Sequence, residues 1–249
     1  MALLNFIGNT KATTFSCSPF PSFMKWLQDQ KIVAFDTETN YVSSILERQL
    51  KVLSFSDSQE STTWVIQWEF LTVFQQRELC AELRHKLCII HSVSFDYSVM
   101  KKHGVVLEKV HDTMLAEQVL NNGYSSENSF FGLQSIMMKR YGIDISKASQ
   151  LTFGDTDEYN DEQIEYAAID VIRLCSLRRV QLQEAKYFDK LMNLDYHKGL
   201  TKTIWWENEF VKCVSDMEMT GVRFDKDKWY KIIDTVKPHQ IFAAGDLAD

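Results

Sequence analysis

Residues 32–35 form an unbroken apolar run, without the alternation of a half-exposed strand, and predict an inner strand over 31–35 covered on both faces. Ahead of it, Phe23, Trp26 and Leu27 recur at helical spacing and predict a helix over residues 21–30. Residues 50–55 and 62–68 are rich in β-formers, and the Ser/Asp-rich stretch 56–61 between them predicts a hairpin or tight loop. A helix over 70–86, a fourth short strand over 87–91, a helix over 95–102 and a brief fifth strand over 105–110 follow, ahead of His111-Asp112. From residue 113 onward the pattern is almost entirely helical. Asn160 and Gln163 match a capping box, Asp161 and Glu162 suit the positive end of a helix, and together they predict one helix from 161 to about 186. A further helix over 199–219, a break at Gly221 and a last amphipathic segment complete the pattern. Strands first and helices afterwards predict an α/β domain over residues 1–198 and a helical extension over 199–249.

Composition narrows the class. A chain of 249 residues that is 45% hydrophobic, with three prolines, has the material for a substantial core. The net charge of −7 gives no global basic field, so any nucleic-acid contact has to be local. Five scattered cysteines, with no Cys-x-x-Cys pair, predict reduced core residues in place of a disulfide frame or zinc site. No apolar run approaches about 18 residues and the first residues lack a signal-peptide pattern, so neither membrane insertion nor secretion is expected. The expected location is cytoplasmic.

Three places hold carboxylates in telling contexts. Asp36 and Glu38 fall where the first apolar strand ends, and strand alternation puts them on one face. Open α/β sheets place ligands at such strand ends. Asp96 follows a short strand at the start of a helix, and Tyr166 and Asp170 are four apart on one helical face. Taken singly, these also read as a solvated turn, a helix-start acid and a chance spacing. Taken together, four carboxylates with no His or Cys partner make an oxygen-only donor set, which selects Mg²⁺ or Mn²⁺ over zinc or copper. Two such ions about 4 Å apart can activate water and hold a scissile phosphate. Mutual repulsion of the carboxylates predicts that metal binding stabilises the fold. Tyr166, with an ordinary pKa near 10, suits orientation of a water better than general-base work.

These residues carry a resemblance. Asp36-Thr37-Glu38, Phe95-Asp96 and Tyr166-Ala167-Ala168-Ile169-Asp170 resemble the three motifs of the DEDD-type 3′→5′ exonucleases, tyrosine subclass. The order matches, and residues 111–120 are similar to the family segment after the second motif. Gln150-Leu151-Thr152-Phe153 resembles the proofreading domain of family A DNA polymerases, and residues 207–225 resemble the passage from such a domain into the polymerase thumb. The resemblance spans roughly residues 15–235. It implies a ribonuclease H-like fold, with a mixed five-stranded sheet flanked by helices and a C-terminal helical extension. It implies two Mg²⁺ or Mn²⁺ ions, with Asp36, Glu38 and Asp170 on the tighter one and Asp36 with Asp96 serving the second. Tyr166 would orient the nucleophile. Thr37, Thr39, Val42, Ser92, Phe95, Gln150, Leu151 and Phe153 would meet the substrate, Val42 as a wedge between the last bases and Phe153 against the 3′ nucleotide.

Two departures stand out: Ser92 replaces the family's usual asparagine, and Val42 is smaller than its leucine. A polymerase palm and fingers are absent from the sequence, which leaves a fragment, a split-polymerase product or a free-standing nuclease. The implied activity removes nucleoside 5′-monophosphates from single-stranded 3′ ends of DNA in replication proofreading, inside a bacterial or phage-infected cell. A separate polymerase domain or subunit is the expected partner. The alternatives are an RNA-trimming enzyme similar to ribonuclease D and a non-catalytic replisome module. Outside the motifs, His91 and His111 are weighed as cleft neighbours, Lys139, Arg140 and Lys147 as phosphate contacts, and Trp205-Trp206 as packing for the extension.

Overall fold

The computed structural model describes all residues except 1–2, 41, 43, 123–127, 146–152, 154–157, 196–197 and 247–249, and all side chains of the remainder except 128–129 and 238–246. Among the described residues, strands β1 (Leu3–Ile7), β2 (Ile32–Thr39), β3 (Leu50–Asp57), β4 (Thr62–Gln67), β5 (Leu87–Ile90) and β6 (Lys109–Asp112) form one mixed sheet, ordered β1-β4-β3-β2-β5-β6. The helices are α1 (Phe20–Asp29), α2 (Val73–Leu83), α3 (Val93–Lys102), α4 (Thr113–Leu120), α5 (Leu133–Tyr141), α6 (Asp161–Ile172), α7 (Leu174–Leu191), α8 (Leu200–Thr220) and α9 (Lys226–Asp246).

Strand β2 is central because it is apolar on both faces. Val33 and Phe35 join Phe23, Leu27 and Leu79 of α1 and α2 in one core. Ala34 points the other way, into a core built with Ile136 of α5, Val171 of α6 and Leu174 of α7. All three strand residues are fully buried, at about 25 cal/mol per Å² of apolar surface removed from water. Beyond Phe35 the same alternation continues, and Asp36 and Glu38 inherit the face of Ala34. β2 runs antiparallel to β3 and parallel to β5, with Asp36 opposite Ser54 and Glu38 opposite Val52.

The α/β reading holds, with three corrections. Among the described residues the sheet has six strands and not five, because β1 adds in parallel to the outer side of β4. A five-residue edge piece with Leu3 exposed has too few alternating positions to stand out by periodicity. The fifth predicted strand begins later than expected: Val105 and Leu107 are buried in the loop after Gly104, and pairing with β5 begins at Lys109. The predicted helix 161–186 is broken at Arg173, between α6 and α7. There Glu60, from the β3–β4 turn, accepts from the Arg173 guanidinium (2.8 Å) and from the Ser176 N–H (2.9 Å), so a distant carboxylate caps the new helix.

Two compact units make up the chain, Met1–Met219 and Thr220–Asp249, and α8 falls in the first but for its last residue. The reason is that α8 is tied to the sheet. Ile204 packs with Ala116 and Ala185, and the Asn208 Oδ1 accepts the Asp112 N–H at 2.7 Å. Gly221, at φ 67°, then adopts the left-handed conformation that glycine tolerates after a helix end. In the second unit, Phe224 and Trp229 meet edge to face at 5.3 Å.

Candidate active site

The polar end of β2 forms the floor of a cleft of about 310 Å³, lined by Asp36, Glu38, Asp96, Tyr166 and Asp170 among others. Helix α6 lies over the strands because its capping box closes in both directions. The Asn160 side chain accepts from the Gln163 N–H at 2.9 Å, and Gln163 returns the bond at 3.1 Å. That start fixes the helix phase, and Tyr166 and Asp170, one turn apart, face β2. Oxygens of Asp36, Glu38 and Asp170 lie within 4.8 Å of one another.

Asp96, only 1% exposed, enters from α3. Its Oδ1 accepts both the N–H and the hydroxyl of Thr37, each at 2.8 Å. Asp112 sets the position of that helix. Its carboxylate accepts the N–H groups of Ser92 (3.1 Å) and Val93 (2.8 Å), which open α3, and of Met114 (2.8 Å) and Leu115 (3.2 Å), which open α4. Ser92 itself is left-handed at φ 70°, an uncommon conformation for a non-glycine residue.

Burial first, and then the charges of Asp96, Glu38 and Asp170, push the Asp36 carboxyl well above the usual range. Burial followed by Asp170 and Asp96 does the same to Glu38. Burial carries Asp96 up to about 7 against the two opposing bonds from Thr37. Burial and the charges of Asp170 and Glu38 raise Tyr166 further, and its hydroxyl bonds to Asp170. Its hydroxyl therefore keeps its proton at neutral pH. Among the described residues, no Lys, Arg or His pairs with Asp36, Glu38 or Asp96. Converging oxygens, hard chemistry and the absence of a cationic partner on Asp36 and Glu38 among the described residues fit a divalent cation held by Asp36, Glu38 and Asp170.

Of the residues expected at the substrate, Thr37, Ser92 and Phe95 line the cleft. The Arg48 guanidinium lies over the Phe95 ring, 4.6 Å from its centroid. Thr39 and Val42 are half-buried and do not line the cleft. Phe153 is 1% exposed and packs on Tyr159 and Tyr166, with centroids 5.7 and 6.1 Å away, so it supports the tyrosine from behind. Gln150, Leu151 and Lys147 lie outside the described residues.

His91 lines the cleft, its Nδ1 3.0 Å from the Thr113 hydroxyl, whereas His111 does not. Arg140 is not open to phosphates, being paired with Glu117 (2.8 Å) and Glu184 (2.9 Å). Lys139 donates to the Phe130 carbonyl at 3.1 Å. Trp205 and Trp206 remain 45% and 58% exposed, so they are surface residues more than packing. All five cysteines are free, and Cys17 and Cys213 are exposed, outside the core expected for them. The main functional-site residue absent from the sequence reading is Asp112. Its signal was available, since an Asp followed by Thr113 and the apolar Met114-Leu115 pair is an N-cap pattern.

A mixed sheet flanked by helices, with acidic groups gathered at the end of its central strand, defines the ribonuclease H-like DEDD class. A model of the 3′–5′ exonuclease family matches residues 14–184. The chain belongs to that family and is a 3′–5′ exonuclease of DEDD type, similar to polymerase proofreading domains. DNA polymerase I of Aquifex aeolicus (strain VF5) is 26% identical over 220 residues, covering 82% of this chain and 34% of the relative. The chain thus spans about a third of the length of that relative. Among solved structures, Brucella melitensis NrnC bound to pGG aligns with a TM-score of 0.66 at 23% identity, covering 89% of this chain and 95% of that one. Escherichia coli RNase D, an exoribonuclease involved in structured RNA processing, aligns with a TM-score of 0.67 at 19% identity, covering 95% of this chain and 56% of that one. Among the described residues, no helix is long and apolar enough to cross a membrane.

Proposed function

We propose that this exonuclease uses two Mg²⁺ or Mn²⁺ ions to release nucleoside 5′-monophosphates from single-stranded 3′ ends of DNA, in a proofreading role. The observation that carries the metal dependence is the convergence of Asp36, Glu38 and Asp170 within 4.8 Å, with no cationic side chain paired to Asp36 or Glu38 among the described residues. Bound there, divalent ions supply a nucleophilic water near neutral pH and positive charge for the scissile phosphate and leaving oxygen.

The chain's own residues do the rest. Asp36, Glu38 and Asp170 hold the tighter ion, and Asp36 with Asp96 serves the second. Thr37 fixes the rotamer of Asp96 through two bonds, leaving Asp96 Oδ2 for the site. Tyr166 keeps its proton and orients the attacking water by hydrogen bonding, held on one side by Asp170 and from behind by Phe153. Phe95, lining the cleft beneath Arg48, contacts the terminal nucleotide. Support for DNA comes from the Gln150-Leu151-Thr152-Phe153 segment and from the DNA polymerase I relative.

The second reading is an RNA-trimming enzyme, favoured by the structural likeness to NrnC bound to pGG and to RNase D. Matched 5′-labelled DNA and RNA oligonucleotides with single-stranded 3′ ends separate the two. With Mg²⁺ or Mn²⁺, a one-nucleotide ladder on DNA that a chelator abolishes is expected. A ladder confined to RNA would replace the DNA reading. Chelator-resistant cleavage would remove the metals.

A further inference from the structure

A second cavity, of about 330 Å³, lies where the start of β6 meets α7 and α8, and it shares no lining residue with the acidic cleft. Its electrostatics are the reverse of the cleft's. Arg178 and Lys109 line it, and neither is ion-paired among the described residues. The Nε of Arg178 is buried without an acceptor, and so is the hydroxyl of Thr201 across the cavity. The carboxylate among the lining residues, Glu209, already pairs with Lys212 at 2.9 Å. In a chain of net charge −7, two uncompensated cations facing one hollow are not explained by the general surface.

The positive charge of the neighbouring groups opposes a metal or other cation as the occupant. His111 is buried and neutral, its pKa pushed down to about 3 by burial and then by the charge of Arg178. Its Nδ1 lies 3.5 Å from the Asn208 amide nitrogen, and its Nε2 is buried without a hydrogen-bond partner. The Arg178 guanidinium would repel any cation near it. An anion is favoured. A guanidinium matches the paired oxygens of a phosphate, and the Thr201 hydroxyl and Lys109 ammonium add donors. Leu182, Ile204 and Trp205 supply an apolar wall on which a sugar or base can rest.

We infer that this cavity is a second phosphate-ester site, outside the catalytic cleft, built around Arg178, Lys109 and Thr201. The phosphate belongs to a free nucleoside 5′-monophosphate or to a nucleic-acid strand, and the cavity presents the same chemistry to both. Neither the choice between DNA and RNA nor the metal ligation bears on it.

Calorimetric titration of the full chain in excess chelator tests the site without cleavage and without metal in the cleft. The probes are inorganic phosphate, dAMP and a hexathymidylate lacking terminal phosphates. Saturable binding of dAMP or of the hexanucleotide is expected, weakened about tenfold or more by Arg178→Gln and severalfold by Lys109→Gln. Asp36→Asn should leave it unchanged. Binding of dAMP identifies the mononucleotide as the source, and binding of the hexanucleotide alone identifies the strand. Absence of saturation by every probe at millimolar concentrations overturns the inference, as does binding that survives both cation substitutions. Lys109 is exposed, so its variant stays informative if Arg178→Gln lowers the melting temperature. Cleavage with Mg²⁺ is measured on the same preparation, so failure of this site and failure of the proposed reaction remain separate results.

Discussion

Asp112 and Asp36 occupy the ends of two strands in one sheet and have opposite fates. Asp112, 1% exposed, accepts four backbone N–H groups and so joins β6 to the starts of α3 and α4. Burial raises its pKa, and those four bonds oppose the rise. Asp36 faces three other carboxylates, with one backbone bond from Thr37 against them. A buried carboxylate supplied with donors by its own chain is a structural joint. A group of carboxylates aimed at one another is stable only when a cation arrives from outside.

The largest effect that could break this comparison is catalytic. Asp36→Asn should lower single-turnover cleavage by about a thousandfold or more, because it removes a ligand from the charge-stabilising site. In chelator the same variant should melt no lower than the parent, since it relieves repulsion. A clear loss of stability would make Asp36 a structural joint like Asp112.

Asp112→Ala should do the reverse, lowering stability by about 2–4 kcal/mol in urea unfolding, because four buried N–H groups lose their acceptor. An unchanged midpoint would break the structural reading. Tyr166→Phe removes only a donor and should slow cleavage by about tenfold. Because its pKa is raised, the parent should show no loss of rate from tyrosine ionisation on the alkaline side up to pH 9. Such a limb, absent in the Phe variant, would show that Tyr166 ionises in the working range.

The smallest effect is on stability against pH. Asp96, at about 7, and Asp36 and Glu38, also raised, have folded pKa values above their unfolded ones. Their stabilising contribution is fully present below the unfolded values near 4 and is lost as pH rises through the folded ones. In chelator, the melting temperature should therefore fall by a few degrees between pH 5 and 8. Mg²⁺ or Mn²⁺ should restore it at pH 8. A melting temperature that ignores metal at pH 8 would sharpen the case against ligation.

Much of the cleft was legible because its signals are local. Asp36 and Glu38 share a face by strand alternation, Tyr166 and Asp170 by helical spacing, and the Asn160–Gln163 box announces the helix that carries the latter pair. Asp112 was missed although its capping pattern is local, because its function lies in reaching α3 as well as α4. The break at Arg173 was not legible at all. It depends on Glu60, 113 residues away, whose carboxylate the β3–β4 turn delivers to the start of α7.

Side-chain type at fixed local spacing specifies the central strand, the phases of the helices and the acidic identity of the cleft. Long-range packing sets the rest: that β1 completes the sheet, that α8 belongs to the first unit, that Phe153 lies behind Tyr166, and which charges find partners. Arg140 and Arg178 look alike in sequence, yet one is held between Glu117 and Glu184 while the other faces an open cavity. The physical reason is that hydrogen bonds and ion pairs are satisfied across the fold, between residues whose separation along the chain carries no period to read.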